Sequence, residues 1–284
     1  MKKKGGEKQE KAGKLPIKHW SYSSLMAYLR NPLAWYKRYV EEIRDMPTTP
    51  SAAVGKAGHV ALEHFYSGAA VDIAVRLGLE YLRSIADFEI NFGMAKTVRA
   101  KKKKRCLMEE EYLRAISYYL KRPPRHRVLG VEVQGVVTVP GLPLPLKAIS
   151  DLVVASRIEK GAVDIIDHKF VASFSKGGAT KPLFIMQAFF NYYTVKELFG
   201  KPVRRFIVYE CKKTKNSDGS PQLRRYRIDF AQHQEEFALF KRLITDATNE
   251  IARRRVYLPN PSDMFEGENS FAIYRFGLVD GELD

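Results

Sequence analysis

The chain has 284 residues, of which 45% are hydrophobic and 12% aromatic, enough for a real core and too many for an intrinsically disordered chain. Its 48 Lys and Arg against 32 Asp and Glu leave a formal charge of +16, so a polyanion is the leading partner class, nucleic acid before an acidic membrane surface. No apolar run approaches the roughly 18–20 residues of a bilayer span, and two cysteines, Cys106 and Cys211, supply neither a disulfide framework nor a cysteine metal site, which points to a reducing cytoplasm.

Residues 1–18, "MKKKGGEKQEKAGKLPIK", are lysine-rich without an apolar stretch and read as a solvated basic tail, not a secretory signal. The stretch "SYSSLMAYLRNPLAWYKRYVEEI" predicts two short helices broken at Asn31-Pro32. "RDMPTTPSAAVG" reads as a loop, and "KAGHVALEHFYSG" as a helix with Val60, Leu62 and Phe65 on its apolar side. Residues 71–92 and 107–120 are also expected to be helical, joined by the basic link "AKTVRAKKKKRC". That link is either a solvated charge run or a DNA-contacting loop.

The period then changes. Residues 128–141 and 146–156 alternate like strands around the turn "PGLPLP", and "GAVDIIDHKF" makes a third strand. Residues 181–200 predict a helix stopped at Gly200, followed by strands "VRRFIVYECKK" and "LRRYRIDF" across the turn "NSDGSP". From Asp229, as N-cap, a long helix carries Phe237, Phe240, Ile244, Ala247 and Ile251 on one stripe. The order predicts an α/β domain over residues 19–284. It would have a mixed central β-sheet flanked by helices and a helical insertion, about residues 70–122, before the sheet.

Acids within apolar strands are costly to bury. Alternation puts Asp167 and Lys169 on one face of their strand, with Asp151 on the neighbouring strand. Two hard oxygen donors suit Mg²⁺ or Mn²⁺, and a lysine beside them suits water activation at a phosphate. On spacing alone, a strand-end aspartate with an Asp–Lys ion pair fits as well.

An acid, a spacer and Asp-X-Lys resemble the PD-(D/E)XK nuclease superfamily, and the flanking motifs are similar to its RecB-like exonuclease branch. "SYSSLMAYLRNPLAWYKRY" resembles the opening segment at Ser21, Ser23, Leu25, Tyr28, Pro32 and Tyr36. "GKAGHVALEHFY" resembles the Gly-x-x-x-His-x-x-Leu-Glu helix at Gly55, His59, Leu62 and Glu63. Gln187 opens the helix after Asp-X-Lys, where the family has Gln…Tyr, and "YLPNPSD" resembles the segment before the family's last cysteines.

The resemblance implies a restriction-endonuclease-like core with His59, Asp151, Asp167 and the backbone carbonyl of His168 as metal ligands. Lys169 would activate water, with Asp151 and Asp167 sharing the catalysis, and Gln187 and Tyr192 would contact DNA. Outside the resemblance, His59 reads as a satisfied structural histidine; Glu63, one turn on, is either its partner or a surface acid. An imidazole ligand suits Mn²⁺ at least as well as Mg²⁺.

Departures sharpen the expectation. Asn31 stands where the branch has its first cysteine, and "LPNPSDMFEGENSFAIYRF" has no cysteine. A four-thiolate cluster therefore has no ligands, and no iron–sulfur cluster is expected. Ala148, Phe170 and Asn191 replace a glycine, a threonine and a tyrosine of the pattern. The expected activity is a metal-dependent deoxyribonuclease, an exonuclease on DNA ends or single strands in repair, recombination or phage DNA processing. DNA is the partner, no membrane is involved, and a single-strand-binding or recombination protein is an expected companion. The alternative is a catalytically inactive nuclease fold that only binds nucleic acid. Tyr28, Trp35, Tyr36 and Tyr39 have the spacing of core residues before that of base-stacking ones.

Overall fold

The computed structural model describes residues 15–43, 47–175, 182–216, 221–253, 256–258 and 260. The basic stretch 1–14, residues 217–220 of the expected turn "NSDGSP" and the terminal motif from residue 261 lie outside the described residues. The chain divides into two compact units, one of residues 1–44, 138–145 and 238–284, the other of residues 45–137 and 146–237.

In the first unit, a two-residue strand β1 (Trp20–Ser21) leads into helices α1 (Tyr22–Arg30) and α2 (Pro32–Tyr39). Asn31 caps α2 with its side chain, accepting from Ala34 N, and Pro32 sits in the first turn, where its missing N–H costs nothing. Trp20, Tyr28 and Trp35 are buried and pack ring against ring. Tyr36 stacks on Tyr257. Trp20 Nε1 donates to Thr248 Oγ1. Of the four aromatics with core spacing, Tyr28 and Trp35 are core residues, whereas Tyr36 and Tyr39 are only half-buried.

The second unit carries a mixed sheet. Its strands are β2 (Val128–Val137), β3 (Leu146–Ala155), β4 (Val163–Val171), β5 (Val203–Lys212) and β6 (Leu223–Asp229), in spatial order β2-β3-β4-β5-β6. Only β4 and β5 are parallel, joined through α6 (Pro182–Phe199), as a parallel pair requires a crossover. Gly200, at φ 58°, ends α6 in the left-handed conformation. α6 approaches β2 so closely that a Cβ on Gly135 would meet Leu198 Cδ1 at 2.7 Å and Thr194 Cγ2 at 2.8 Å.

Helices α3 (Pro50–Tyr66), α4 (Val71–Ser84) and α5 (Val98–Lys121) pack on one another. They enclose Ala57, Leu62, Leu82, Met108, Tyr112 and Ile116 with Leu152, Ile166 and Ile207 of the sheet. Neighbouring residues of β4 face opposite ways: Asp167 bonds to Gln187 on α6, and His168 to Tyr119 on α5.

Four boundaries differ from expectation. The helix expected over residues 71–92 ends at Ser84, and the rest of that stretch forms a 3-10 turn, Asp87–Glu89, and a bridge from Ile90 to Thr48. The stretch read as a loop to residue 55 is helical from Pro50, because Thr49 caps it by accepting from Ala52 N. The basic link is the start of α5, capped by Thr97, since Lys and Arg are good helix formers once a cap is present. Asp229 caps only a short 3-10 turn (Phe230–Gln232), and the long helix α7 (Gln234–Ala252) starts after it.

Candidate active site

β3 and β4 pair from Ala155 with Val163 to Leu152 with Ile166, where their ladder ends. One step on, Asp151 Oδ2 accepts the His168 N–H at 2.6 Å, so a carboxylate takes the donor that the ladder leaves. The same register sets Asp151 level with Asp167. On the other side, Val131 pairs with Leu152 and Val133 with Ser150, which sets Glu132 level with Asp151. Three carboxylates thus stand in a row across β2, β3 and β4.

α3 adds the imidazole. His59 Nδ1 lies 3.4 Å from Asp151 Oδ2, with its ring edge-on to Phe170 at 5.8 Å. His59, Glu132 and Asp151 each offer one ligand atom, all within 4.8 Å of one another. One imidazole nitrogen and two carboxylate oxygens are a donor set for a divalent cation. Glu132 holds its place at a backbone cost, with φ at 46°, a region that costs a non-glycine residue on the order of 1–3 kcal/mol.

Glu132 is absent from the sequence-based ligand set. The signal was present, since it is an acid inside the apolar run "VLGVEVQGVV", but its approach to Asp151 depends on strand register. Asp167 holds a different set of contacts. Lys169 Nζ lies 2.9 Å from its Oδ2 and 3.0 Å from its Oδ1, and Gln187 Nε2 donates to Oδ1 at 2.7 Å.

The charges are pushed apart. Burial works against ionising Asp151, but the His59 charge and the donors of His168 and His59 outweigh it and hold the carboxyl well below the usual range. Burial raises the pKa of Asp167; Lys169 offsets this in part, and the Asp151 charge adds to the rise. Glu132 is pushed up to about 7, by burial and then by Asp151. Burial would lower His59, yet the charge and hydrogen bond of Asp151 leave it raised. Acids forced in opposite directions recur at sites that hold a cation or move a proton, and also in structural ion-pair networks.

A buried aromatic box supports the row from behind. The His168 ring is 1% exposed, with Nδ1 at 3.3 Å from Asp151 Oδ2 and Nε2 at 2.9 Å from Tyr119 Oη. Tyr119 Oη is in turn 2.6 Å from Tyr66 Oη, and Tyr209 stacks on the His168 ring. The backbone of His168 runs between Asp167 and Lys169. Asn191 fixes α6 to β3 by accepting from Ser150 Oγ at 2.6 Å and donating to the Gln187 carbonyl. Gln187 therefore reaches the row, whereas Tyr192 packs against Phe230 and Phe237. Glu63 is exposed. Cys211 is buried and Cys106 exposed.

No curated protein matches the chain. A solved structure titled "Crystal structure of SSO0001" is 14% identical, over 89% of this chain and 91% of that one. The TM-score between the two is 0.27. A family model does match: that of the PD-(D/E)XK nuclease superfamily, over residues 19–264. The match spans α3, the carboxylate row and Asp167-His168-Lys169, and the chain belongs to the PD-(D/E)XK nuclease superfamily.

Proposed function

We propose that this chain is a deoxyribonuclease dependent on Mg²⁺ or Mn²⁺ and works as an exonuclease on DNA ends or single strands, in repair, recombination or phage DNA processing. The observation that carries the proposal is the clustering of His59, Glu132 and Asp151 beside the Asp167–Lys169 ion pair. His59, Glu132 and Asp151, with Asp167 and the His168 carbonyl beside them, would hold the divalent cation, which would act as a Lewis acid toward the phosphate and lower the pKa of water.

The chain's own groups do the rest. His168 N–H and the His59 ring keep Asp151 ionised and fixed in orientation. Gln187 and Lys169 hold the Asp167 carboxylate between them. Lys169, anchored on both Asp167 oxygens, orients the attacking water and neutralises charge that builds on the phosphoryl oxygens. The imidazole in the donor set favours Mn²⁺ over Mg²⁺. The formal charge of +16 supplies salt-dependent affinity for the DNA backbone. No helix among the described residues is long and apolar enough to cross a membrane.

End-labelled linear DNA and closed circular DNA, each with Mg²⁺, Mn²⁺ or EDTA, test the proposal. Mononucleotides or short oligomers released from linear DNA alone, and lost in Lys169→Ala and Asp151→Asn, are expected. Equal behaviour of wild type and Lys169→Ala under every metal removes the catalytic role. Tight DNA binding without cleavage in that case leaves a binding module.

A further inference from the structure

The first turns of α5 carry the run Arg99, Lys101, Lys102, Lys103, Lys104 and Arg105, which the candidate site does not use. The helix sorts these charges. Lys101 and Arg105 turn inward, each over the Phe92 ring, and Arg105 is tied to Asp87 at 2.8 Å. Arg99, Lys102 and Lys103 fall on the opposite face at helical spacing, and all three are exposed.

Two nearby arginines are neutralised, Arg83 by Glu109 at 2.6 Å and Arg105 by Asp87, whereas Lys104, on the flank of the run, is exposed like the outer three. Among the described residues, no carboxylate lies in ion-pair range of Arg99, Lys102 or Lys103. The N-terminus of a 24-residue helix adds its own partial positive charge. Acids return only at Glu109, Glu110 and Glu111, so the unneutralised patch covers about two turns.

We infer that the outer face of the first two turns of α5, through Arg99, Lys102 and Lys103, is a docking surface for the phosphate backbone of single-stranded DNA. The inference rests on the nuclease reading above and adds where the strand is held away from the reacting phosphate. Charge complementarity selects a polyanion. The exposed apolar residues beside the face, Val98 and Leu107, lie on its two flanks with the charges between them, and form no continuous apolar stripe of the kind with which a helix lies in a membrane surface. A single strand is favoured because Phe88, in the segment that leads into α5, is 84% exposed, and an exposed ring can stack on an unpaired base, which a duplex does not offer.

The test measures binding of a fluorescent oligothymidylate by the full chain in EDTA, so that nothing is cleaved, across a salt series. Arg99→Gln, Lys102→Gln and Lys103→Gln are combined, because glutamine keeps the helix propensity. A matched variant changes Lys121, Lys160 and Lys201, also exposed, to Gln. Three phosphate contacts at about 0.7 each predict that the slope of log K against log salt shrinks by about 2 in the α5 variant and stays near wild type in the matched one. Phe88→Ala is expected to weaken binding about tenfold with the slope unchanged.

An unchanged slope in the α5 variant, or an equal loss in the matched variant, overturns the inference. So does loss of binding to phosphatidylserine vesicles with DNA binding intact, which would make the patch a membrane surface. A wild type that neither binds nor cleaves DNA sinks the nuclease reading instead. A wild type that cleaves while the α5 variant keeps its slope sinks only the docking surface.

Discussion

Gly78→Ala sets two effects against each other. Alanine in the middle of α4 gains about 1 kcal/mol of helix propensity. The added Cβ, however, would lie 2.6 Å from the Ala57 carbonyl oxygen, 2.2 Å from Tyr112 Oη and 2.8 Å from Tyr112 Cζ. Contact between such atoms is relieved only near roughly 3.5 Å, so α3 and α4 must part by about 1 Å. Overpacking of this kind costs about 1–3 kcal/mol. The Tyr112 hydroxyl, which donates to the Val75 carbonyl at 2.7 Å, loses a bond worth about 1 kcal/mol.

The steric cost wins, with a net loss of about 1–3 kcal/mol and a fall in Tm of roughly 5 °C for a chain of this size. Ala57 is two residues before His59 on α3, so the same displacement is expected to shift the imidazole relative to Asp151 and to weaken cation binding at the proposed site. Thermal unfolding and titration calorimetry with Mn²⁺ measure both effects. Adding Tyr112→Phe removes the 2.2 Å contact but leaves the one to the Ala57 carbonyl, and restores only part of the stability. A Gly78→Ala protein as stable as wild type would refute the close packing of α3 on α4.

Three further changes probe the site and its support. Glu132→Gln keeps the shape of the carboxyl and removes its charge, so Mn²⁺ affinity by calorimetry should fall at least tenfold on the scale of support residues at metal sites, with the fold intact by circular dichroism. Tyr119→Phe takes the hydroxyl from both His168 Nε2 and Tyr66, leaving buried groups unpaired at about 1–3 kcal/mol; urea unfolding reads the loss. His126 is lowered to about 4, by burial first and then by Arg157, so the fold holds it neutral while the unfolded chain takes up a proton below about 6.5. Its share of stability is therefore complete above pH 6.5 and declines as the pH falls towards 4. The decline is about 1–2 kcal/mol after discounting for its partial exposure, and His126→Phe should flatten it in denaturant unfolding against pH.

Local pattern is enough to single out Asp151 and Asp167 as acids within apolar strands and to put Lys169 on the side of Asp167, where the two form an ion pair, but by itself it does not separate an ion pair from a metal site. It also places α6 through Gly200 and the core aromatics Tyr28 and Trp35. The basic run before Cys106 is harder, because a charge run has the same composition in a loop and on a helix; the Thr97 cap decides for the helix. His59 stands out only through its family-like motif, since a lone histidine on an amphipathic helix has no other mark.

The sequence alone determines which segments alternate, where caps and glycines end them, and that buried acids must find partners. Tertiary structure decides which acids meet. Glu132, Asp151 and Asp167 lie far apart along the chain, and they line up because β2, β3 and β4 pair in one register. A shift of a single residue would turn each acid to the opposite face. Only the packed fold brings His59 of α3 to that row, and only it decides that Arg105 is neutralised while Arg99, Lys102 and Lys103 face outward. Pairing register and helix docking are non-local, set by the joint burial of many side chains, and no short stretch of sequence encodes them.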